Sequence, residues 1–580
     1  MRSLRKLLGY FSDVWKLLGS DRRRVIPIVL VLILSSALDL IGLGLIGGYI
    51  TVLSSDPDAA GANPMIEKLV DLMGGESPVR SLGIALILLF TFKAFLGIGA
   101  QRLIIAFSLR QMMSLRVRVF NLMQLMPYQD FVRLNSASLI RAIVSYTTQF
   151  NVVIMSLLKL LGDAILAITI ILFLAILEPL LMLAVGLMGL CVVFFWDRLF
   201  RKNLAFRGRE MNEGDGLLLQ GVQEGAQGFK EIKILGAERF FRSLVKQGAE
   251  MSMAGRLYTG TVSAAPRFVI ECIAVCFIVV FSWATLSRGL SATSIFAVLG
   301  VFAIAAVRLA PLATQGMFSV SQLRASKPAI DGLIAQIEAA GVPREPASQS
   351  VARSHSNFNE LRLENVEFGY NPDAPALLSN VSLVVRRGDW IGIVGESGTG
   401  KTTLIDTILG LIEPQSGKIF YNGKALADSL GDWQANVAYI PQETLIIDSS
   451  LAENIILGKA HEGVVGQKLT DALKKSRLET LVRSLPMGVE ARLGERGSLI
   501  SGGQRQRVAI ARALYYDRQV LILDEATSAL DLKTEREILH ELKDLGNSVT
   551  VIAVSHRLET LAMCDIVYRV EGARLIRMRE

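Results

Sequence analysis

Gly395-Glu396-Ser397-Gly398-Thr399-Gly400-Lys401-Thr402 has every part of a phosphate-binding loop. The apolar run Trp390–Val394 before it reads as a strand, and a helix is expected to open at Lys401. The glycines let backbone N–H groups close around phosphate oxygens, and the helix N-terminus adds a favourable dipole. Lys401 is placed to neutralise the β- and γ-phosphates of ATP, and the Thr402 hydroxyl to bind Mg²⁺. With Thr403 as the next helical residue, residues 395–403 form the candidate ATP-binding segment.

Downstream, Val520–Leu523 is a short apolar strand ending in Asp524-Glu525. A strand end of this kind puts Asp524 in the Mg²⁺ shell and leaves Glu525 to polarise the attacking water. Between loop and strand lies Ser501-Gly502-Gly503-Gln504, followed by a helix containing Arg505 to Leu514. A serine and two glycines opening a helix make a second phosphate-binding N-terminus. One chain already has its loop for that work, so the second anion site implies a second molecule.

Here the residues resemble the signature of the ABC ATPases, with Ile500 where that family usually has Leu. Other parts match in order. Tyr370 looks like the aromatic that stacks on adenine, and Gln442, in Tyr439-Ile440-Pro441-Gln442, like the glutamine that senses Mg²⁺ and faces the membrane domain. Gly494-Glu495-Arg496-Gly497 resembles the loop that exporters carry before the signature, and Ser528-Ala529-Leu530-Asp531 the loop that crosses the dimer interface. His556, after Val551–Ser555, is similar to the histidine that contacts the γ-phosphate. The resemblance implies catalysis by Glu525, His556 and Gln442, and a Mg²⁺ ion held by Thr402, Gln442 and Asp524. It also implies that Ser501, Gly502, Gly503, Gln504 and Asp531 act on the partner's ATP, so a homodimer would have two competent sites.

The rest of the chain is apolar. Of 580 residues 51% are hydrophobic, yet 20% are charged, which fits membrane spans joined to a soluble domain better than either alone. Six stretches exceed or approach the roughly 20 residues that cross a bilayer: Val25–Leu53, Ser81–Phe107, Val152–Leu177, Pro179–Phe200, Phe268–Leu286 and Ser294–Phe318. Arg110, Arg116, Arg118, Arg133 and Arg141 lie between the second and third, and Arg201, Lys202, Arg207, Arg209, Lys230, Lys233 and Arg239 between the fourth and fifth. Both connections are therefore expected in the cytoplasm, with both termini. They keep helical periodicity, so they read as extensions of the membrane helices. Gly228-Phe229-Lys230-Glu231-Ile232-Lys233, at the turn of the second, resembles the segment through which ABC exporters touch their nucleotide domains.

The expected layout is an α-helical six-span transmembrane domain of the ABC exporter type followed by an α/β P-loop ABC ATPase domain. Residues 1–24, with Leu4, Leu7, Leu8, Phe11, Trp15 and Leu18 at helical spacing among basic residues, suit a helix in the cytoplasmic membrane interface, or a packed soluble one. Residues 25–325 form the membrane domain, with an amphipathic outer helix over 64–73 opened by Asn63-Pro64. Residues 326–357 are a linker and 358–580 the ATPase domain. The net charge of +8 sits largely beside apolar runs, which argues against nucleic acid as the partner. Cys191, Cys272, Cys276 and Cys564 have no disulfide or metal spacing, and the N-terminus lacks the pattern of a cleaved signal peptide.

On the cargo the spans give a partial answer. Lys93, Arg267 and Arg308 fall within or beside them, where ionisable groups are costly. They either line a basic cavity for an anionic head group or snorkel and pair with Asp39, Asp163 or Glu271. Lys93, Pro266-Arg267-Phe268-Val269-Ile270-Glu271 and Arg308-Leu309-Ala310-Pro311 together resemble the PglK-like lipid-linked oligosaccharide flippases. That resemblance implies a polyprenyl-diphosphate oligosaccharide, or a related anionic glycolipid, moved from the cytoplasmic to the outer leaflet of a bacterial inner membrane. The alternative is a broad-specificity lipid or multidrug exporter with the same ATPase. A soluble ABC ATPase does not account for the spans.

Overall fold

The structure is a computed structural model. It describes residues 10, 12–54, 78–132, 136–177, 179–287, 292–339, 357–369, 376–457, 466–525, 532–544, 546 and 549–578. The outer helix expected at 64–73 and most of the expected linker lie outside them. The chain divides into two compact units, Met1–Gln124 with Arg133–Val342, and Leu125–Val132 with Pro343–Glu580.

The first unit is helical. Its long helices among the described residues are α1 (Val25–Ser54), α2 (Pro78–Gln124), α3 (Thr147–Leu177), α4 (Pro179–Gln227), α6 (Glu238–Ser287) and α7 (Ala292–Ala339), with the short α5 (Phe229–Leu235) between α4 and α6. Each contains or overlaps one of the expected spans. Among the described residues four stretches are long and apolar enough to cross a bilayer: Asp21–Ile46, Val79–Gln124, Ser138–Phe173 and Glu238–Val280. Ile87, Leu88, Phe95 and Ile98 of α2 are exposed along such a stretch, as side chains facing lipid should be. Pro266 and Pro311 stand inside α6 and α7, a placement tolerated in packed membrane helices.

Polar extension and packing go together. The polar ends of α4 and α6 approach so closely that a Cβ at Gly214 would lie 2.6 Å from the Gly248 carbonyl oxygen. Small residues permit that approach, and Arg256 fastens it with a 2.9 Å ion pair to Asp215. Near the N-terminus Tyr10, Val14 and Leu18 form one buried face, packed with Ile104, Phe107, Phe150 and Ile330, while Trp15 is exposed.

The second unit is an α/β domain. A six-stranded sheet runs in the order β10-β9-β3-β8-β7-β6, and a four-stranded antiparallel sheet in the order β2-β1-β4-β5. The strands are β1 (Glu360–Phe368), β2 (Leu378–Arg386), β3 (Trp390–Val394), β4 (Ser416–Tyr421), β5 (Lys424–Ala425), β6 (Val437–Ile440), β7 (Val520–Asp524), β8 (Thr550–Val554), β9 (Ile566–Glu571) and β10 (Arg574–Arg577). In the larger sheet β9, β3, β8, β7 and β6 are parallel. Buried on both faces, β3, β7 and β8 are continuous apolar runs. Helix α8 (Lys401–Ile408) follows β3 and buries Leu404, Ile405 and Ile408 among Ile391, Ile393, Val520 and Ile552. A separate core, Leu451, Leu469, Leu473, Leu478, Ile500, Val508 and Ala511, packs α9 (Gly502–Tyr515) against helices of its own.

Candidate functional site

Parallel strands end together, and at the carboxyl edge of this sheet they deliver the candidate residues side by side. From β3 the chain enters the loop 395–400. Gly400 has φ +100°, open to glycine and strained for other residues, and a Cβ there would meet the Leu377 carbonyl oxygen at 2.8 Å. A Cβ at Gly395 would lie 2.7 Å from the Val570 carbonyl oxygen. Glu396, Ser397 and Gly398 are exposed at the mouth, and Thr399 Oγ1 donates to the Glu396 carbonyl at 2.9 Å. Lys401 is buried. Its Nζ donates to the carbonyls of Gly395 and Glu396, each at 2.7 Å, so the ammonium lies inside the curve of the loop. Thr402 is exposed at the helix start and Thr403 is buried.

Two strands away β7 ends on Asp524. Its Oδ2 accepts a 2.9 Å hydrogen bond from the Tyr439 hydroxyl, and Tyr439 belongs to β6. Burial raises the Asp524 pKa; the Tyr439 hydrogen bond lowers it, Glu525 raises it and Lys401 lowers it. Behind them stands Asp406 of α8, itself buried, with its carboxyl pushed up to about 6 by burial and by the charge of Asp524. Glu525 has φ +48°, a sparsely populated conformation for a non-glycine residue, and its N–H donates to the Val554 carbonyl at 3.0 Å. The backbone kink turns its carboxylate towards the next strand, where Oε1 lies 3.6 Å from Nε2 of the half-exposed His556. The segment carrying His556 is anchored below. Glu535 on α10 (Leu532–Asp544) is fully buried, pairs with Arg557 and accepts from Thr560 Oγ1 at 2.6 Å. Gln442 is exposed two residues beyond β6.

The structure thus brings the loop, Lys401, Asp524, Glu525 and His556 to one edge. Ser501 stands apart from them in packing. It caps α9 through a capping box, its Oγ accepting from Gln504 N at 3.2 Å while Gln504 Oε1 accepts from Ser501 N at 2.8 Å. Gly502 and Gly503 form the first turn, and the helix belongs to the separate helical core. Tyr370 and Asp531 lie outside the described residues.

In the helical unit two of the three candidate cations have acidic partners. Lys93 on α2 donates to Asp39 on α1, and Arg267 forms a 3.0 Å ion pair with Glu271, one turn along α6. Arg308 is on α7, with its side chain outside the described set. Lys93 and Arg267 thus each have an acidic neighbour. Gly228 caps α5 and residues 229–233 are its first, with Phe229, Ile234 and Leu235 exposed on it. Sequence reading passed over Tyr439 and Asp406. The tyrosine was inside a motif already quoted, and a lone aspartate within the apolar helix after the loop was the available signal for the second.

Residues 378–528 match the family model described as ABC transporter. The chain carries an ABC transporter ATPase domain. Its ATPase domain makes it an ATP-hydrolysing transporter. Over 508 residues it is 29% identical to an ATP-dependent lipid A-core flippase of Ralstonia nicotianae, covering 86% of this chain and 83% of the relative. It is 27% identical over 554 residues to the flippase of the same description in Burkholderia pseudomallei, covering 92% and 89%. Its fold matches the solved structure of a bacterial Atm1-family ABC exporter with ATP bound, with a TM-score of 0.77 at 22% identity over 96% of this chain and 95% of that one. The transporter therefore has the exporter arrangement, a helical membrane domain followed by an ABC ATPase domain.

Proposed function

We propose that the transporter is a lipid exporter that carries an anionic glycolipid from the cytoplasmic to the outer leaflet of a bacterial inner membrane. The observation that carries this reading is the likeness, over most of both chains, to relatives described as ATP-dependent lipid A-core flippases. The polyprenyl-diphosphate oligosaccharide implied by the membrane motifs is the finer form of the same class: a lipid tail, a phosphorylated linkage and a sugar head. A broad lipid or drug exporter is the second reading, favoured by the pairing of Lys93 with Asp39 and Arg267 with Glu271, which leaves those two cations less available to an anion.

The residues fit ATP and Mg²⁺. A Cβ at Gly395 or Gly400 would strike the Val570 or Leu377 carbonyl oxygen, so the curve of the loop depends on glycine there, and Thr402 and Asp524 offer one hydroxyl and one carboxylate. Among the described residues no cluster of three His, Cys, Asp or Glu could hold a metal alone. Mg²⁺ needs none, because one or two carboxylates with substrate phosphates and water suffice for it. Mg²⁺ held by Thr402, Asp524 and Gln442 would neutralise charge on the β- and γ-phosphates. Lys401 would leave the loop carbonyls for phosphate oxygens. Glu525 would orient the attacking water and accept its proton, with His556 across from it meeting the γ-phosphate.

Two chains complete each site. The first turn of α9 presents Ser501, Gly502 and Gly503 at a positive helix end, packed on a core that does not include the loop. A partner's α9 would close on the γ-phosphate side, and its Asp531 would line the junction. Closure around ATP would draw the ATPase domains together and hydrolysis would release them, with the extended helices transmitting the movement.

The test is reconstitution in vesicles with a labelled polyprenyl-diphosphate oligosaccharide and, separately, a labelled lipid A. The expected result is ATP-dependent movement of at least one, lost in Glu525→Gln although that variant still binds ATP. Hydrolysis in the wild type with neither lipid moved would transfer the assignment to the broad exporter.

A further inference from the structure

Two cavities adjoin in the helical unit. The larger, about 450 Å³, is lined by α3, α4, α6 and α7, and among the described residues Asp163 is its one charged lining residue. Lys159, a turn earlier on α3, interacts electrostatically with that carboxylate. The smaller, about 210 Å³, shares Leu160, Val193, Ala313, Gly316 and Met317 with it, so the two are continuous. Its other lining residues change character: Trp196, Asp197 and Arg201 from α4, Ser321 and Arg324 from α7. These stand where the expected fourth and sixth spans, Pro179–Phe200 and Ser294–Phe318, end on the cytoplasmic side.

The polar groups of the smaller cavity do not balance. Arg324 pairs with Asp197, and the like charge of Arg201 acts on Arg324. Two guanidiniums thus face one carboxylate. Ser321 Oγ is committed to the Met317 carbonyl at 2.8 Å. Trp196 Nε1 and Arg324 Nε are buried donors with no hydrogen-bond partner among the described residues. An orphaned donor in a low-dielectric site is costly, and here two belong to residues that line the smaller cavity. Arginine forks and an indole N–H match phosphate oxygens.

We infer that these cavities form one binding site for an anionic lipid, its phosphate at Arg201, Arg324 and Trp196 and its tail in the apolar chamber. This rests on the lipid-exporter reading and moves the head-group site from Lys93 and Arg267 to the cytoplasmic ends of α4 and α7. A soluble phosphate would satisfy the donors and leave the chamber unused; a lipid fills both. Asp197 competes with the lipid phosphate for Arg324, and that competition gives the site a distinguishing sign.

The experiment titrates full-length detergent-solubilised transporter with a fluorescent short-chain phosphatidic acid and, as control, the same lipid carrying phosphocholine. Arg201→Gln should weaken phosphatidic acid about tenfold, the size of one lost charge-assisted hydrogen bond, and leave the phosphocholine lipid alone. Asp197→Asn should tighten phosphatidic acid several-fold, because Arg324 is released to it. A residue that only held the helices together would weaken both lipids in both variants, and that result, or no change in either, overturns the site. Displacement by glycerol phosphate as effective as by the lipid would overturn the chamber's part in it. The vesicle assay separates the two readings. Wild-type transport of an anionic glycolipid that Arg201→Gln leaves intact would sink this site and spare the exporter assignment. Absence of transport would sink that assignment while the titration still decides the site.

Discussion

The hydroxyl of Tyr439 donates a 2.9 Å hydrogen bond to Oδ2 of Asp524, joining two residues that stand on adjacent parallel strands. In the register of β6 on β7, Tyr439 lies opposite Ile522. Ile522 and Asp524 share a face of the strand, so the long phenol reaches forward to the carboxylate. It leaves the other oxygen of Asp524 for a metal.

Tyr439→Phe should therefore loosen Asp524 without emptying the nucleotide site. We expect the Mg²⁺ concentration for half-maximal ATP hydrolysis to rise about tenfold or more, in keeping with about 1.5–3 kcal/mol for a hydrogen bond to a charged group. Binding of a fluorescent ATP analogue in EDTA should be unchanged. An unaltered Mg²⁺ titration would remove the tyrosine from metal positioning.

Asp406 carries a pH dependence whose sign is opposite to that of a salt-bridged carboxylate. Its folded pKa is raised from 3.8 to about 6, by burial first and then by Asp524. The folded chain thus binds more protons than the unfolded one between those values. Stability falls as pH rises through that window, and the cost is fully present above it. Asp406→Asn removes the charge and should raise the melting temperature at pH 7.5, with the gain shrinking towards zero near pH 4. A gain equal at both pH values would point to packing instead.

Gly400→Ala tests the cradle. At φ +100°, with the Leu377 carbonyl oxygen 2.8 Å from the added carbon, the loop must open to accept a methyl group. Strain of about 1–3 kcal/mol is expected from the backbone alone. ATP-analogue binding should fall by an order of magnitude or more while the membrane domain stays folded, measured by binding and by size-exclusion profile. Normal affinity would show that the backbone here is not what holds phosphate.

Glu535 is wholly buried against Arg557 and Thr560, next in the chain to His556. Removing one member of a buried ion pair costs about 3–5 kcal/mol, because the other is left uncompensated. Glu535→Ala should lower the unfolding temperature of the ATPase domain by several degrees and depress turnover more than ATP affinity. Glu535→Gln, which still accepts from Thr560, should recover part of both. Loss in neither assay would leave the His556 segment anchored by its backbone alone.

Much of the ATP site was legible because its chemistry is local. The phosphate loop, the strand-end pair Asp524-Glu525 and the Ser501 cap are contiguous residues whose backbone preferences dictate a turn, a strand end or a helix start wherever they occur. The apolar stretches were legible for a similar reason, since crossing a bilayer is a demand on length and composition. The partner of Lys93 was not legible: Asp39 was one of several acids named, and the packing of α1 on α2 selected it. Tyr439 found Asp524 through strand register, Glu525 faces His556 because of a positive φ, and Arg201, Arg324 and Trp196 meet because α4 and α7 pack together. By itself the sequence determined an ATP-driven membrane transporter and the backbone groups that hold phosphate. Only the tertiary structure decided which charges are spent on one another and which donors remain for a ligand, because pairing depends on distances across elements far apart in the chain.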